Sequence, residues 1–368
     1  MIYLDNAATS YYKPYEVKRV VNMALNLYTA NAGRGGYKLA NMCAEKIYEV
    51  REKVLKLFNA NNHTCIFTSG CSSALNLAIL GTVQQGGHIV VSFLEHNSIL
   101  RPLEYLKSTG KIDYTVVESV NENDFEKAIK PNTYMIITTQ VSNVTGQRLN
   151  IQSINNICKK YKILHLVDTA QGAGHIFEDL NCVDMIAFAG HKGLLGIGGV
   201  GGLIVSNNVA LKPIMFGGTG TFSESLIQPT DKPEGFEVGT MPIIPIISLS
   251  AGIDYLVNNK QYILQKEQKL NQYLMEKLEE LDFIIPYFSL GSIGVYSFNI
   301  KGLDSSFVSD ILNERFNICT RSGLHCAPLV HKHLGTQNIG AVRVSINFDN
   351  SFNDINQLVL ALKKIKDM

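Results

Sequence analysis

The sequence lacks the features that mark membrane or nucleic-acid proteins. It has no tryptophan, no apolar run of spanning length and almost no net charge, with 33 Lys and Arg against 32 Asp and Glu in 368 residues. The cations are scattered, which argues against a nucleic acid or an anionic membrane surface as partner. The chain begins MIYLDNAATS, with no basic segment ahead of an apolar one, so we expect no signal peptide. These absences predict a soluble globular protein.

The sequence also lacks paired cysteines. Its seven cysteines are an odd number without CxxC spacing, which argues against a disulfide framework or a zinc site. We therefore expect no bound metal and a cytoplasmic location, where thiols stay reduced.

Apolar runs of strand length alternate with helix-period stretches over the first two thirds of the chain. This alternation is typical of an α/β fold with a doubly wound, mostly parallel sheet. The predicted strands are 65–69, 88–92, 112–117, 135–139, 163–168, 185–190 and 201–205, with helices at 71–82, 98–109 and 150–161.

A second, smaller α+β domain is predicted after the proline-containing segment 239–248. A long helix over 249–281 leads into it, followed by strands at 295–300, 317–320 and 341–346 and helices at 304–315 and 353–366. The predicted domains are 14–247 for the large one, and 248–368 with the N-terminal 1–13 for the small one.

Two motifs place ionisable residues at the ends of predicted strands. Lys192 follows a strand in AFAGHKGLLGIGG, and Asp168 ends another in VDTAQGAGH. Open α/β sheets bind ligands at the carboxyl ends of their strands, and a buried carboxylate requires a partner such as a protonated heteroaromatic nitrogen. Taken alone, a solvated lysine and a turn-capping aspartate would explain both.

Two further motifs place candidate residues at the carboxyl ends of other predicted strands. A predicted strand breaks at Gly70 before Cys71 and Ser72, and a helix start with hydroxyls beside it can bind phosphate. His96 follows the strand HIVVS, where an imidazole can stack on a flat ring and transfer protons. A serine N-cap and a structural histidine are the ordinary alternatives.

The second domain carries a candidate nucleophile. Cys326 lies in ICTRSGLHCAPLVHKHLG, near Arg321 and three histidines, a setting that would favour the thiolate. Arg343 lies on the predicted strand AVRVS, where a charged residue requires an anion such as a substrate carboxylate, or a structural ion pair.

Together these motifs resemble the class V aminotransferases of pyridoxal phosphate (PLP) fold-type I, and among them the cysteine desulfurases and selenocysteine lyases. The resemblance runs from YLDNAAT (3–9) and NAGRGG (31–36) to GAVRVS (340–345), with the motifs in family order. It implies PLP as cofactor and L-cysteine or L-selenocysteine as substrate.

The resemblance also implies a role for each candidate residue. Lys192 would form the Schiff base and move the Cα proton, His96 would stack on the ring, and Asp168 would pair with the ring nitrogen. The other implied contacts are Cys71, Ser72 and His191 to the phosphate, Asn143 and Gln171 to the ring oxygen side, and Arg343 with Arg321 and Asn143 to the substrate. Thr240, in FEVGT, resembles a residue that reaches the phosphate of a neighbouring subunit, which implies a homodimer with shared active sites.

The loop RSGLHCA (321–327) is similar to the catalytic loop of the group II, Suf-type desulfurases. Cys326 would then form a persulfide, release alanine and pass the sulfur to an acceptor protein. Three departures stand out: Leu324 replaces the first histidine of this loop, Ala189 replaces a serine or threonine before Lys192, and MPIIP follows Thr240 where an asparagine is expected.

Other readings remain open at this point. Both chalcogens fit one pocket, so a selenocysteine lyase is equally compatible with the motifs. Transamination, epimerisation or C–S lysis would retain PLP without needing the Cys326 thiol. A non-enzymatic alternative is a sulfur-relay or scaffold protein whose cofactor site is vestigial.

Overall fold

The computed structural model describes residues 1–33 and 35–368; Arg34, within the NAGRGG motif, lies outside the described residues. The described strands are β1 (Ile2–Tyr3), β2 (His63–Thr68), β3 (Gly87–Ser92), β4 (Ile112–Val117), β5 (Thr133–Thr139), β6 (Leu164–Asp168), β7 (Met185–Ala189), β8 (Gly201–Ser206), β9 (Ile284–Pro286), β10 (Val295–Ile300), β11 (Ile318–Cys319), β12 (Arg321–Gly323) and β13 (Ala341–Ser345).

The described α-helices are α1 (Tyr15–Leu27), α2 (Lys38–Leu57), α3 (Cys71–Gly81), α4 (Asn97–Ser108), α5 (Glu122–Lys127), α6 (Ile151–Tyr161), α7 (Ile243–Asn258), α8 (Lys260–Glu279), α9 (Ser305–Phe316), α10 (Pro328–His333) and α11 (Phe352–Lys366). None of these helices is both long and apolar enough to span a membrane.

Within the described residues, seven strands form the central sheet, in the order β2-β8-β7-β6-β5-β3-β4. Strands β3 to β7 run parallel, and β8 runs antiparallel to both of its neighbours. Side chains alternate between two apolar cores: Ile136 of β5 packs in one, while Met135 and Ile137 pack in the other. The predicted α/β class with a mostly parallel sheet is confirmed.

A smaller antiparallel sheet, β12-β13-β10-β9, lies towards the end of the chain. Its core includes Phe298 and Val344 from the sheet, Leu362 from α11, and Leu4 from the N-terminus. Strand β1 pairs with β11, with Ile2 opposite Ile318, so the first residues join this later part of the structure.

The predicted single helix over 249–281 is wrong. Helix α7 already begins at Ile243, after Pro242, and ends before Asn259. Both the backbone and the side-chain nitrogens of Asn259 donate to the Tyr255 carbonyl, so the side chain competes for a helical acceptor and α8 starts separately. The domain boundary predicted at 247/248 falls inside α7 and stays a prediction.

The predicted strand over 317–320 is also divided. Residues of β11 pair with β1, whereas β12 begins at Arg321 and pairs with β13 in the other sheet. The chain therefore passes from one sheet to another just before the loop that carries Cys326.

Candidate active site

Lys192 lies in a turn directly after β7, at the carboxyl edge of the central sheet. Neighbouring residues pack so closely against this turn that it needs glycine on both sides of the His191–Lys192 pair. A Cβ atom added at Gly193 would lie 2.8 Å from the His175 ring, and one added at Gly190 would lie 2.9 Å from Val200. Burial lowers the pKa of Lys192 from its ordinary value, and the negative charge of Asp168 opposes this only in part. A lowered pKa favours the neutral, nucleophilic amine.

Asp168 ends the neighbouring strand β6 and is 4% exposed. Its described hydrogen bonds come from neutral donors: the backbone N–H of Ala170 at 2.8 Å and the Cys71 thiol at 3.4 Å, both to Oδ1. A buried carboxylate held by neutral groups favours a cation beside it. The protonated ring nitrogen of a pyridine cofactor meets this requirement.

The first turn of α3 lines a cavity that also contains Lys192 and Asp168. The Ser72 hydroxyl lies 2.7 Å from the Ser98 hydroxyl, and those of Ser69 and Ser73 are 2.8 Å apart. Hydroxyls beside the free amides of a helix start suit a phosphate group. The Cys71 thiol points instead towards Asp168, and burial raises its pKa well above the ordinary value, so the thiol stays protonated.

His96 caps α4 and lines this cavity. Its Nδ1 accepts a hydrogen bond from the backbone N–H of Ser98 at 3.0 Å, so the proton of the neutral ring is on Nε2. Burial lowers the pKa of His96, and the charge of Asp168 opposes this only in part. The imidazole is therefore neutral near pH 7, which suits stacking on a flat ring.

The cavity encloses about 260 Å³ and brings together most of the predicted cofactor contacts. Its lining includes Cys71, Ser72, His96, Asn143, Asp168, Gln171, His191 and Lys192. A hydroxyl-lined helix start, an amine, an imidazole and a buried carboxylate are the set of groups that PLP requires, so the residues present fit this cofactor.

Two of these residues are also bound to the N-terminal segment of the chain. The side-chain nitrogen of Gln171 donates to the Ala7 carbonyl at 2.9 Å, and the Nδ1 of His191 lies 3.0 Å from the Thr9 hydroxyl. Burial lowers the pKa of His191 to about 4, so this ring is neutral. The N-terminal segment thus contacts the site through two of its lining residues.

The loop carrying Cys326 contacts the rim of the cavity through two hydrogen bonds. The side-chain nitrogen of Asn143 donates to the His325 carbonyl at 2.6 Å, and the backbone N–H of Asn97 donates to the Cys326 carbonyl at 2.7 Å. His325 and Cys326 both have positive φ, 48° and 58°, which turns the chain sharply and leaves the thiol exposed.

The electropositive setting predicted from the histidines of this loop is wrong for two of them. Burial lowers the pKa of His325 to about 2 and that of His331 to about 4, so both rings are neutral. His325 contacts the Ala341 carbonyl and His331 contacts the Thr336 hydroxyl. Across residues 1–33 and 35–368, no cluster of three metal-binding side chains occurs.

Arg343 is buried on β13, outside the cavity lining, and already holds an anion. Its Nη2 lies 2.7 Å from Asp5 Oδ1, and its Nη1 donates to the Asn143 carbonyl at 3.1 Å. The ion-pair alternative left open by the sequence is therefore present. Arg321 lies opposite Arg343 in the β12–β13 register and is exposed.

Thr240 is exposed and does not line the cavity. It borders an adjacent cavity of about 350 Å³, which shares Ser69 and Ser73 with the first. The segment before it is fixed by a two-fold ion pair between Arg51 and Glu237, with N–O distances of 2.8 and 2.9 Å.

Glu95 is a buried acid that the motifs did not reveal. Its Oε1 accepts hydrogen bonds from the Thr139 N–H at 2.9 Å and from the Ser92 hydroxyl, and Oε2 has no partner among the described residues. Burial raises its pKa to about 8, with a further contribution from the charge of Asp168. An acidic residue three positions after the end of a buried strand was the available signal.

Residues 2–358 match the family model described as Aminotransferase class-V. A probable cysteine desulfurase of Methanothermobacter thermautotrophicus is 36% identical, covering 100% of this chain and 95% of the relative. One of Pyrococcus abyssi is 32% identical, covering 99% of this chain and 94% of the relative.

The solved structures that resemble this chain include cysteine desulfurases as well. The apo structure of a cysteine desulfurase from Thermococcus onnurineus has a TM-score of 0.93 and 32% identity, covering 100% of this chain and 94% of that one. A cysteine desulfurase from Escherichia coli has a TM-score of 0.86 at 24% identity, covering 99% and 94%. The second comparison speaks for the fold alone.

Proposed function

Because the chain belongs to the class-V aminotransferase family, we propose that it is a PLP-dependent cysteine desulfurase that converts L-cysteine to L-alanine and retains the sulfur as a persulfide on Cys326. The observation that carries this proposal is the docking of the Cys326 loop on the cavity that contains Lys192 and Asp168. Asn143 lines that cavity and binds the loop directly.

The contacts of each cavity residue support its part in holding PLP. Lys192 would bind the cofactor covalently, the α3 start with Ser72 and His191 would bind its phosphate, and Asp168 would keep its ring nitrogen protonated. Bound in this way, PLP supplies an electron sink that stabilises negative charge at the substrate Cα.

Lys192 and His96 are the residues suited to proton transfer. The lowered pKa of Lys192 leaves its amine able to accept the Cα proton once it is free of the cofactor. His96 carries its proton on Nε2, since Nδ1 accepts a hydrogen bond from Ser98, and the residue lines the cavity. These roles follow from which nitrogen atoms are free.

Cys326 performs the sulfur step. Its thiolate attacks the sulfur of the bound substrate, a sulfur–sulfur bond forms, and the carbon–sulfur bond breaks with its electron pair left on carbon. Protonation of that carbon gives alanine. The exposure of the thiol leaves room for an acceptor protein to take the persulfide sulfur afterwards.

A homodimer is part of the proposal. The segment leading to Thr240 exposes large apolar side chains, with Phe216 75%, Ile227 82% and Leu226 fully exposed. Such a patch is typical of a surface that another subunit covers. Thr240 would then reach the phosphate of the partner's site, and the cytoplasm would keep the seven unpaired cysteines reduced.

The test is turnover of L-cysteine by the PLP-loaded protein. With an added thiol reductant that releases the persulfide sulfur as sulfide, alanine and sulfide should form in equal amounts, and Cys326→Ser should abolish both while the cofactor absorbance remains. Cys182→Ser is the matched control, since that thiol is exposed and does not line the cavity, and it should behave as wild type. Full activity in Cys326→Ser would refute the desulfurase mechanism, and turnover of selenocysteine alone would favour a lyase.

A further inference from the structure

Arg343 is a buried cation that contacts the wall of the proposed substrate site, and it already has a carboxylate partner. Its side chain is 2% exposed and lies 2.7 Å from Asp5, whose side chain is 20% exposed. The Nη1 group binds the backbone of Asn143, a residue of the cavity wall, and the Nε has no partner among the described residues. The Asp5 carboxylate is thus already bound to the Arg343 guanidinium, which is the group proposed to bind the substrate carboxylate.

The position of Asp5 is fixed by backbone pairing rather than by its own side chain. Ser345, two residues after Arg343, donates its N–H to the Leu4 carbonyl at 2.7 Å, and its hydroxyl accepts the Ala7 N–H at 2.8 Å. The residues on both sides of Asp5 are therefore bound to β13. The fixed backbone keeps the Asp5 carboxylate within reach of the guanidinium when a second anion arrives.

We propose that Asp5 is a resident counter-ion against which the carboxylates of substrate and product compete for Arg343. This inference rests on the proposed function, in which Arg343 contacts the substrate carboxylate. The Asp5 carboxylate repels a second carboxylate that comes within a few ångströms of it. Asp5 also partly neutralises the positive charge of Arg343 that would otherwise attract the ligand carboxylate. Asp5 therefore weakens binding of both L-cysteine and L-alanine, and it favours release of the product.

The competing effect is orientation, since Asp5 also holds the guanidinium in place. The contact of Nη1 with the Asn143 carbonyl and the burial of the side chain in β13 fix the guanidinium without Asp5. Repulsion between two carboxylates therefore outweighs the loss of one orienting contact. The sign of the effect follows: removing the charge of Asp5 tightens carboxylate binding.

The test compares two ligands that differ only in the carboxylate. L-alanine and L-alaninamide are titrated into PLP-loaded wild type, Asp5→Asn and Asp5→Glu, and dissociation constants are read from the cofactor absorbance. Asp5→Asn should raise the preference for L-alanine over L-alaninamide by about ten- to hundredfold. Asp5→Glu keeps the charge and should keep the wild-type ratio. The KM for L-cysteine should fall in Asp5→Asn without a rise in kcat.

A ratio of the two constants is insensitive to a general loss of stability or of cofactor, which would affect both ligands alike. An unchanged or lower preference for L-alanine in Asp5→Asn would overturn the inference and leave the proposed function intact. A wild type that does not distinguish L-alanine from L-alaninamide would overturn the proposed role of Arg343 and the inference with it.

Discussion

Replacing Glu95 by glutamine should change how the stability of the protein depends on pH. The Glu95 carboxyl is fully buried, and its pKa is raised to about 8 from 4.5, mainly by burial. Between these two values the folded protein keeps the proton while the unfolded chain releases it. Stability contributed by the protonated form is thus complete below pH 4.5 and is lost as pH rises towards 8.

The size of the effect follows from the two pKa values. At 1.36 kcal/mol for each pH unit between them, the ionisation of Glu95 removes roughly 5 kcal/mol of the free energy of unfolding by pH 8 to 9. Glutamine does not titrate, and its oxygen can still accept hydrogen bonds from Ser92 and Thr139. Relative to wild type, Glu95→Gln should therefore gain stability as pH rises.

The assay is urea unfolding of both proteins, in the same cofactor state, at intervals from pH 5 to pH 9. The control is Glu279→Gln, a substitution of the same chemistry at an exposed position, whose stability should run parallel to wild type. If Glu95→Gln also runs parallel to wild type over this range, the carboxyl does not titrate as described and the reasoning fails.

Three other substitutions test separate parts of the site. His96→Gln should slow the rate of alanine formation by roughly 10²- to 10⁴-fold. In the wild type, an NMR titration should find the His96 imidazole neutral at pH 7, because its pKa is lowered. An imidazole that is still charged at pH 7 would contradict this. Ser72→Ala should raise the Kd for PLP about tenfold or more in a fluorescence titration, since one hydroxyl donor to the phosphate is lost; an unchanged Kd would remove Ser72 from the phosphate site. Arg51→Met should cost about 3–5 kcal/mol in urea unfolding because the Glu237 carboxylate stays buried with no cation beside it, although it keeps the Phe67 N–H. Adding Glu237→Leu should recover part of that loss, and a double variant no more stable than Arg51→Met would argue against the ion pair.

The central sheet and its active edge were predictable because buried parallel strands leave a strong local signal. Two strands of five residues end at Asp168 and at Ala189, three positions before Lys192, and parallel strands bring such ends together. The presence of both residues in one cavity follows from this arrangement.

Interactions between distant segments were not predictable from local patterns. The ion pair of Asp5 and Arg343 joins residues 338 positions apart, and either residue alone is compatible with many partners. The loop sequence predicts that the histidines near Cys326 supply positive charge, but burial makes His325 and His331 neutral. Burial depends on the packing of α10 and β13, which the loop sequence does not encode.

The most direct test of the account is to identify which thiol carries sulfur after one turnover. PLP-loaded protein is mixed with a substoichiometric amount of L-cysteine, alkylated at once and digested for mass spectrometry. The account predicts that the peptide containing Cys326 alone gains the mass of one sulfur atom, in proportion to the alanine formed. Sulfur on another cysteine, such as Cys71, or alanine formed with no persulfide on Cys326, would contradict it.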